Sequence, residues 1–144
     1  MNKLRTALLF TTALFMSIAV HADNYAIDGY SPVAYFTEGE AMKGDPSHSA
    51  LHEGKTYLFR NNEELEAFTD NPEKYTPRYD LCPYSLTTGS TLPIDPTNFK
   101  IVGGYLLLFH QSEQMDGLVS FEASGLTEQE LLERADKQFK LLTF

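Results

Sequence analysis

Gly103-Gly104 sits between two apolar runs, residues 99–102 (F-K-I-V) and 105–109 (Y-L-L-L-F). A two-residue hairpin loop that matches the right-handed twist of its strands needs positive φ at both central positions, and two glycines supply it without steric cost. The pair therefore predicts an antiparallel hairpin in the second half of the chain. The run 105–109 shows no polar alternation, which predicts a strand covered on both faces. A chain built around such a strand must find apolar material to cover it from each side.

The rest of the sequence offers that material in short pieces. Residues 49–52 and 55–60 flank Glu53-Gly54, a second hairpin signal, with Tyr57 and Phe59 on one face and Thr56 and Leu58 on the other. Asn61, followed three residues later by Glu64, predicts a helix start whose apolar face carries Leu65 and Phe68. Asp70-Asn71-Pro72 ends that helix, and Asn71 with Pro72 can open one further turn that returns Tyr75 to the core before Pro77. Thr127 with Glu130 is a capping box opening a C-terminal helix. Its apolar stripe is Leu131, Leu132, Ala135, Phe139 and Leu142, with Glu128, Glu133, Asp136 and Lys140 on the polar side. Residues 33–36 can form one helical turn or a short strand, since four residues do not resolve a period. Residues 37–49, polar and with Gly39, Gly44 and Pro46, read as a surface loop or an irregular edge, and residues 87–98 as a turn-rich loop. The expected fold is a small single α+β domain over residues 25–144, with short antiparallel hairpins packed against two main helices.

The first residues carry an address. Lys3 and Arg5 precede an apolar run over residues 7–20, and Val20-His21-Ala22 has the small-residue pattern of a cleavage site before Asp23. This predicts a Sec-type signal peptide over residues 1–22, cleaved after Ala22, and a periplasmic or secreted product. The run is shorter than the roughly 20 residues of a membrane-spanning helix, so no stable membrane anchor is expected after cleavage. The net charge of −9 becomes more negative once Lys3 and Arg5 are removed. Such acidity excludes nucleic acid as a partner, because phosphate binding rests on Lys and Arg.

Exported chains usually pair their cysteines, yet this one has a single cysteine, Cys82. Cys82 is a buried inert thiol, an intermolecular partner, a metal ligand or a redox thiol. No C-x-x-C surrounds it, and Asp80 nearby would raise its pKa. His48 and His52, four apart, would share a helical face and make a metal pair, but Pro46 and Gly54 place them in a loop-to-strand segment. Cys82 with His48, His52 and Met42 is the donor set that a soft ion such as Cu(I) would take. His110 closes the apolar strand as a terminal surface residue. The acidic pair Glu63/Glu64 reads as helix-start charge or a solvated face. No nucleophile-elbow, zincin, P-loop or dinucleotide-binding pattern occurs, so no catalytic residue is assigned; only a redox role would make Cys82 one. The aromatic set Tyr30, Tyr35, Phe36, Tyr57, Phe59, Phe68, Tyr75 and Tyr79 is core first, and the best place to seek a polar pocket, since buried tyrosines need hydroxyl partners.

An ordered set of short motifs resembles the YHS domain. These are G-Y-S-P-V-A-Y-F at 29–36, G-K-T-Y-L-F at 54–59, Phe68, N-P-E-K-Y at 71–75, Pro77, Tyr79, Cys82 with Tyr84, and the glycine hairpin after residue 99. The resemblance covers residues 25–110 and is closer to the exported single-domain YHS-type proteins, some of which carry selenocysteine in place of one cysteine. It implies a treble-clef-like framework related to metal-binding modules. The relatives' thiolate positions fall on Ala34, Arg60 and Glu64, so that metal function does not carry over. Cys82 resembles the position of the subfamily's cysteine or selenocysteine. The expected function is an exported binding or accessory protein with an unidentified protein or small-molecule partner, connected with metal or redox homeostasis. The alternatives are a thiol-dependent redox protein using Cys82, or a partner-docking module that takes neither metal nor substrate.

Overall fold

The computed structural model describes residues 24–144. The expected signal peptide, residues 1–22, lies outside them. Among the described residues, two separate two-stranded antiparallel sheets and six α-helices make an α+β domain. The first sheet pairs β1 (Asp45–His52) with β2 (Lys55–Phe59), and the second pairs β3 (Phe99–Val102) with β4 (Tyr105–Leu108). The helices are α1 (Ala34–Thr37), α2 (Asn62–Asp70), α3 (Pro72–Tyr75), α4 (Pro83–Thr87), α5 (Gly117–Ala123) and α6 (Glu128–Leu142). Among the described residues, no helix is long and apolar enough to cross a membrane.

The two-sided burial expected of residues 105–109 is realised by a division of labour. Leu107 and Phe109 enter a cluster with Cys82, Leu86, Val102, Phe121, Leu131 and Ala135. Leu106 and Leu108 enter another with Tyr35. Alternate residues of one strand thus feed two cores, which is why no polar residue breaks the run. Tyr105 departs from the expectation: it is 43% exposed, with its ring under the Arg78 guanidinium at 4.0 Å. A third cluster holds Tyr57, Phe59, Phe68 and Tyr75. Leu58 is buried too, so β2 is also covered on both faces.

The turns follow their chemistry. Gly103 and Gly104 have φ of 58° and 84°, as the two-residue loop requires. The other hairpin turns through Glu53 and Gly54, with φ of 48° and 76°. Asn61 Oδ1 accepts the Glu64 N–H at 2.9 Å and starts α2. Thr127 and Glu130 form the reciprocal capping box of α6. Leu65 and Phe68 face the expected core, and Tyr75 returns to it.

Of the two readings of residues 37–49, the end of the segment takes the irregular edge: β1 begins at Asp45, before a bulge between Asp45 and Ser49 that accommodates Pro46. Other readings need correction. Two short helices went unread. Pro83 occupies the first turn of α4, and Asp116 caps α5 by accepting the Leu118 and Val119 N–H groups at 3.0 Å each. The α6 stripe frays at its end, with Leu142 47% exposed. Asp136, on the polar side of α6, pairs with Arg78, which leaves that reading in place.

Candidate functional site

A cleft of about 550 Å³ opens where the N-terminal segment, the β1–β2 turn, the strip 76–80 and α6 meet. Its floor is Tyr57, its aromatic walls include Tyr25, Tyr79 and Phe139, and its ionic rim is Asp28, Glu53, Lys55, Arg78 and Asp80. The size lies within the range of small-molecule sites. β2 fixes Tyr57, since Tyr57 pairs with Ala50 across the sheet and its ring packs on Phe68 at 5.1 Å. Only 5% of Tyr57 is exposed, and its hydroxyl makes no hydrogen bond among the described residues. No side-chain oxygen sealed from solvent is left unpaired among those residues, so the Tyr57 hydroxyl is the part that meets the cleft. Burial, with the charges of Glu53 and Asp80, pushes the phenol above its ordinary pKa and keeps it neutral.

The backbone beside this floor is unusual. Ile27, Asp28 and Gly29 all have positive φ, of 46°, 53° and 76°. For a β-branched residue that is a strained conformation, costing roughly 1–3 kcal/mol. It is held from outside: Tyr30 N–H donates to the Ile27 carbonyl, Gly44 N–H to the Gly29 carbonyl, and Lys43 Nζ to the Asp28 carbonyl. Gly44 is needed for this clasp, because a Cβ there would stand 2.5 Å from the Leu58 carbonyl carbon.

Arg78 and Tyr79 reach the cleft from the strip after α3. Arg78 makes a two-pronged contact with Asp136, Nε to Oδ1 at 3.0 Å and Nη2 to Oδ2 at 2.7 Å, and the Tyr79 hydroxyl donates to Oδ1 at 2.6 Å. Burial acts to raise the Asp136 pKa, but the Arg78 and Tyr79 hydrogen bonds and the charges of Arg78 and Lys140 hold it below the usual carboxylate range. Burial and the hydrogen bond to Asp136 push the Tyr79 phenol well up.

A second ionic cluster lies where α1, β2 and α2 join. Arg60 Nε donates to Glu64 Oε1 at 2.6 Å, Arg60 N–H to Oε2 at 2.9 Å, and the Ser31 hydroxyl to Oε2 at 2.7 Å. Arg60 Nη2 also reaches Glu38 at 2.8 Å, and Nη1 lies 3.2 Å from the Met42 sulfur. Glu64 is 4% exposed, which corrects its reading as a solvated or purely helix-start charge. Burial alone would raise its pKa; the Arg60 hydrogen bonds, the Ser31 hydroxyl and the Arg60 charge outweigh that and lower it. The carboxylate reaches back one residue beyond the cap, to the Arg60 amide.

The structure does not bring the expected metal donors together. Cys82 is wholly buried in the cluster around Leu107 and Phe121, with Gly117 packed on its sulfur. His48 is held beside Ser47 Oγ at 3.1 Å, whereas His52 lies edge-on to Phe68 at 5.8 Å. Four residues of extended strand separate these two histidines, roughly 13 Å. Met42 belongs to the Arg60 cluster. His110 Nδ1 donates to the Pro93 carbonyl at 3.0 Å. Among the described residues no group of three or more His, Cys, Asp or Glu converges in a metal-holding arrangement. The donors present therefore do not fit a soft-metal centre such as copper.

The expected aromatic set contributes Tyr57 and Tyr79 to the cleft. The sequence reading missed Glu53, Lys55, Arg78 and Phe139 as its neighbours. Only the hairpin signal at Glu53-Gly54 hinted that two of them would be presented on a turn. No family model, curated protein or solved structure matches the chain.

Proposed function

We propose that the chain is an exported binding or accessory protein of the YHS type, and that its binding site is the cleft above Tyr57. The observation that carries this reading is the Tyr57 hydroxyl: a nearly buried tyrosine presents its only polar side-chain atom, without a partner among the described residues, to a cleft of small-molecule size. Thiol chemistry receives no comparable support, since a redox thiol must be reached by its partner and Cys82 is sealed in the core. Two of the three positions that the resemblance assigns to thiolates, Arg60 and Glu64, are joined here by an ion pair, so the binding site of this reading is the cleft and not that position.

The test is a panel of small cationic, neutral, anionic and aromatic compounds screened by amide NMR shifts against the wild-type protein and Tyr57→Phe. Shifts confined to residues 53–57 and 76–80, weakened in the variant, are expected. A panel in which no compound moves those signals would sink the cleft reading. Export is tested separately by N-terminal sequencing of the protein from the cell exterior or periplasm, expected to begin at Asp23.

A further inference from the structure

Resting on the reading of this cleft as a binding site, we infer that its ligand is a small organic cation, an amine or diamine held between Asp28, Glu53 and the Tyr57 hydroxyl. The charge balance of the rim favours that class. Arg78 is neutralised by Asp136, which does not line the cleft. Lys55 and Asp80 form only a loose pair at 3.9 Å, both more than half exposed, and offset one another. Asp28 and Glu53 remain, and neither carboxylate has an ion-pair partner among the described residues. The site therefore carries an unbalanced negative charge at its mouth and an oxygen able to accept a hydrogen bond at its floor.

The walls suit the same ligand. Tyr25, Tyr79 and Phe139 present aromatic surface to the cleft, and aromatic faces attract ammonium groups while repelling carboxylates. Tyr57 is the independent mark that the cleft is a site and not an incidental run of surface acids. It is buried to within 5%, and its hydroxyl has no hydrogen-bond partner among the described residues. An ammonium N–H donated to that oxygen would complete it. An anion would meet Asp28, Glu53 and Asp80 with Lys55 alone to offset them.

The probe is 1,4-diaminobutane, with 1,4-butanediol as its neutral counterpart and succinate as its anionic one. Each is titrated into the full folded chain and followed by amide NMR and calorimetry. The diamine is expected to shift residues 53–57 and 76–80 and to bind about tenfold or more tightly than the diol, with succinate silent. Glu53→Gln, Asp28→Asn and Tyr57→Phe should each weaken the diamine several-fold, with dispersed spectra showing that the variants fold. Lys55→Ala removes a rim cation that repels the ligand and offsets Asp80, and should tighten binding. Equal or stronger shifts from the diol or succinate at the same residues would overturn the cation assignment while leaving the cleft as a binding site. Diamine shifts spread over all surface acidic residues and abolished by moderate salt would overturn it as nonspecific attraction. Silence from all three probes would overturn it too, and the wider panel then decides whether the cleft reading survives.

Discussion

Two of the arginine–carboxylate pairs in this domain, Arg60–Glu64 and Arg78–Asp136, do different things. Arg60 and Glu64 are four residues apart, on either side of the α2 cap, and bury the carboxylate beneath Ser31 and the Arg60 amide. Arg78 and Asp136 are 58 residues apart and tie the strip after α3 to the C-terminal helix, with both side chains partly in solvent. The first is a local joint that costs little chain entropy to close and leaves a charge in the interior. The second closes a long loop and steadies a wall of the cleft. The contrast shows that similar pair geometry carries different consequences: burial decides the penalty for breaking the pair, and sequence separation decides how far the damage spreads.

The comparison breaks most sharply at the buried end. Arg60→Ala leaves Glu64 buried without its cation and should lower stability by about 3 kcal/mol, measured by urea unfolding. Replacing both residues together, Arg60→Met with Glu64→Leu, should cost less than the single change; an equal or greater loss would mean that the pair itself is a net stabiliser. At the other pair, Asp136→Ala should cost about 2 kcal/mol, removing partners of Arg78 and of the Tyr79 hydroxyl. Its effect should be regional, with faster amide exchange across α6 and the strip 76–80 and little change in α2.

Acid acts on both pairs in the same direction. The folded-state pKa values of Glu64 and Asp136 are both lowered, so each contributes its full stability above the unfolded carboxyl pKa of about 4. That contribution is lost as pH falls from there through the lowered folded value. Unfolding free energies measured between pH 7 and pH 3 should fall below about pH 4, and Glu64→Gln should flatten that limb. A slope unchanged in the variant would remove Glu64 from the account. The smallest expected effect is a gain. Glu53 occupies a left-handed turn position that asparagine tolerates better, so Glu53→Asn should raise stability by about 0.5–1 kcal/mol. The same change should weaken diamine binding, placing stability and binding in opposition at one residue.

Local rules made most of the framework legible. Gly103-Gly104, the Asn61 and Thr127 caps and the apolar run after residue 104 act over a few residues, and each appears where its chemistry put it. The short helices α4 and α5 were less legible because each is one or two turns long and too short to show a period. Asp116 before Gly117 was the available signal for α5. The site was hidden for a different reason. Glu53, Arg78 and Phe139 are far apart in sequence, and only the packing of α6 against the strip after α3 assembles them. Glu64 read as a surface charge because nothing local announces that Ser31, 33 residues earlier, closes over it.

The packing of Gly117 on Cys82 has one more consequence. A single added methyl carbon at residue 117 would stand 2.8 Å from the sulfur, so the thiol has no room for an attached group while α5 stays in place. The protein therefore contains its own chemical clock. A thiol reagent added under native conditions reacts only during excursions that lift this core apart, and with one cysteine the trace has one source. Where reclosing outpaces labelling, the labelling rate, compared with that of the unfolded chain, reads the free energy of that opening without denaturant and without an introduced probe.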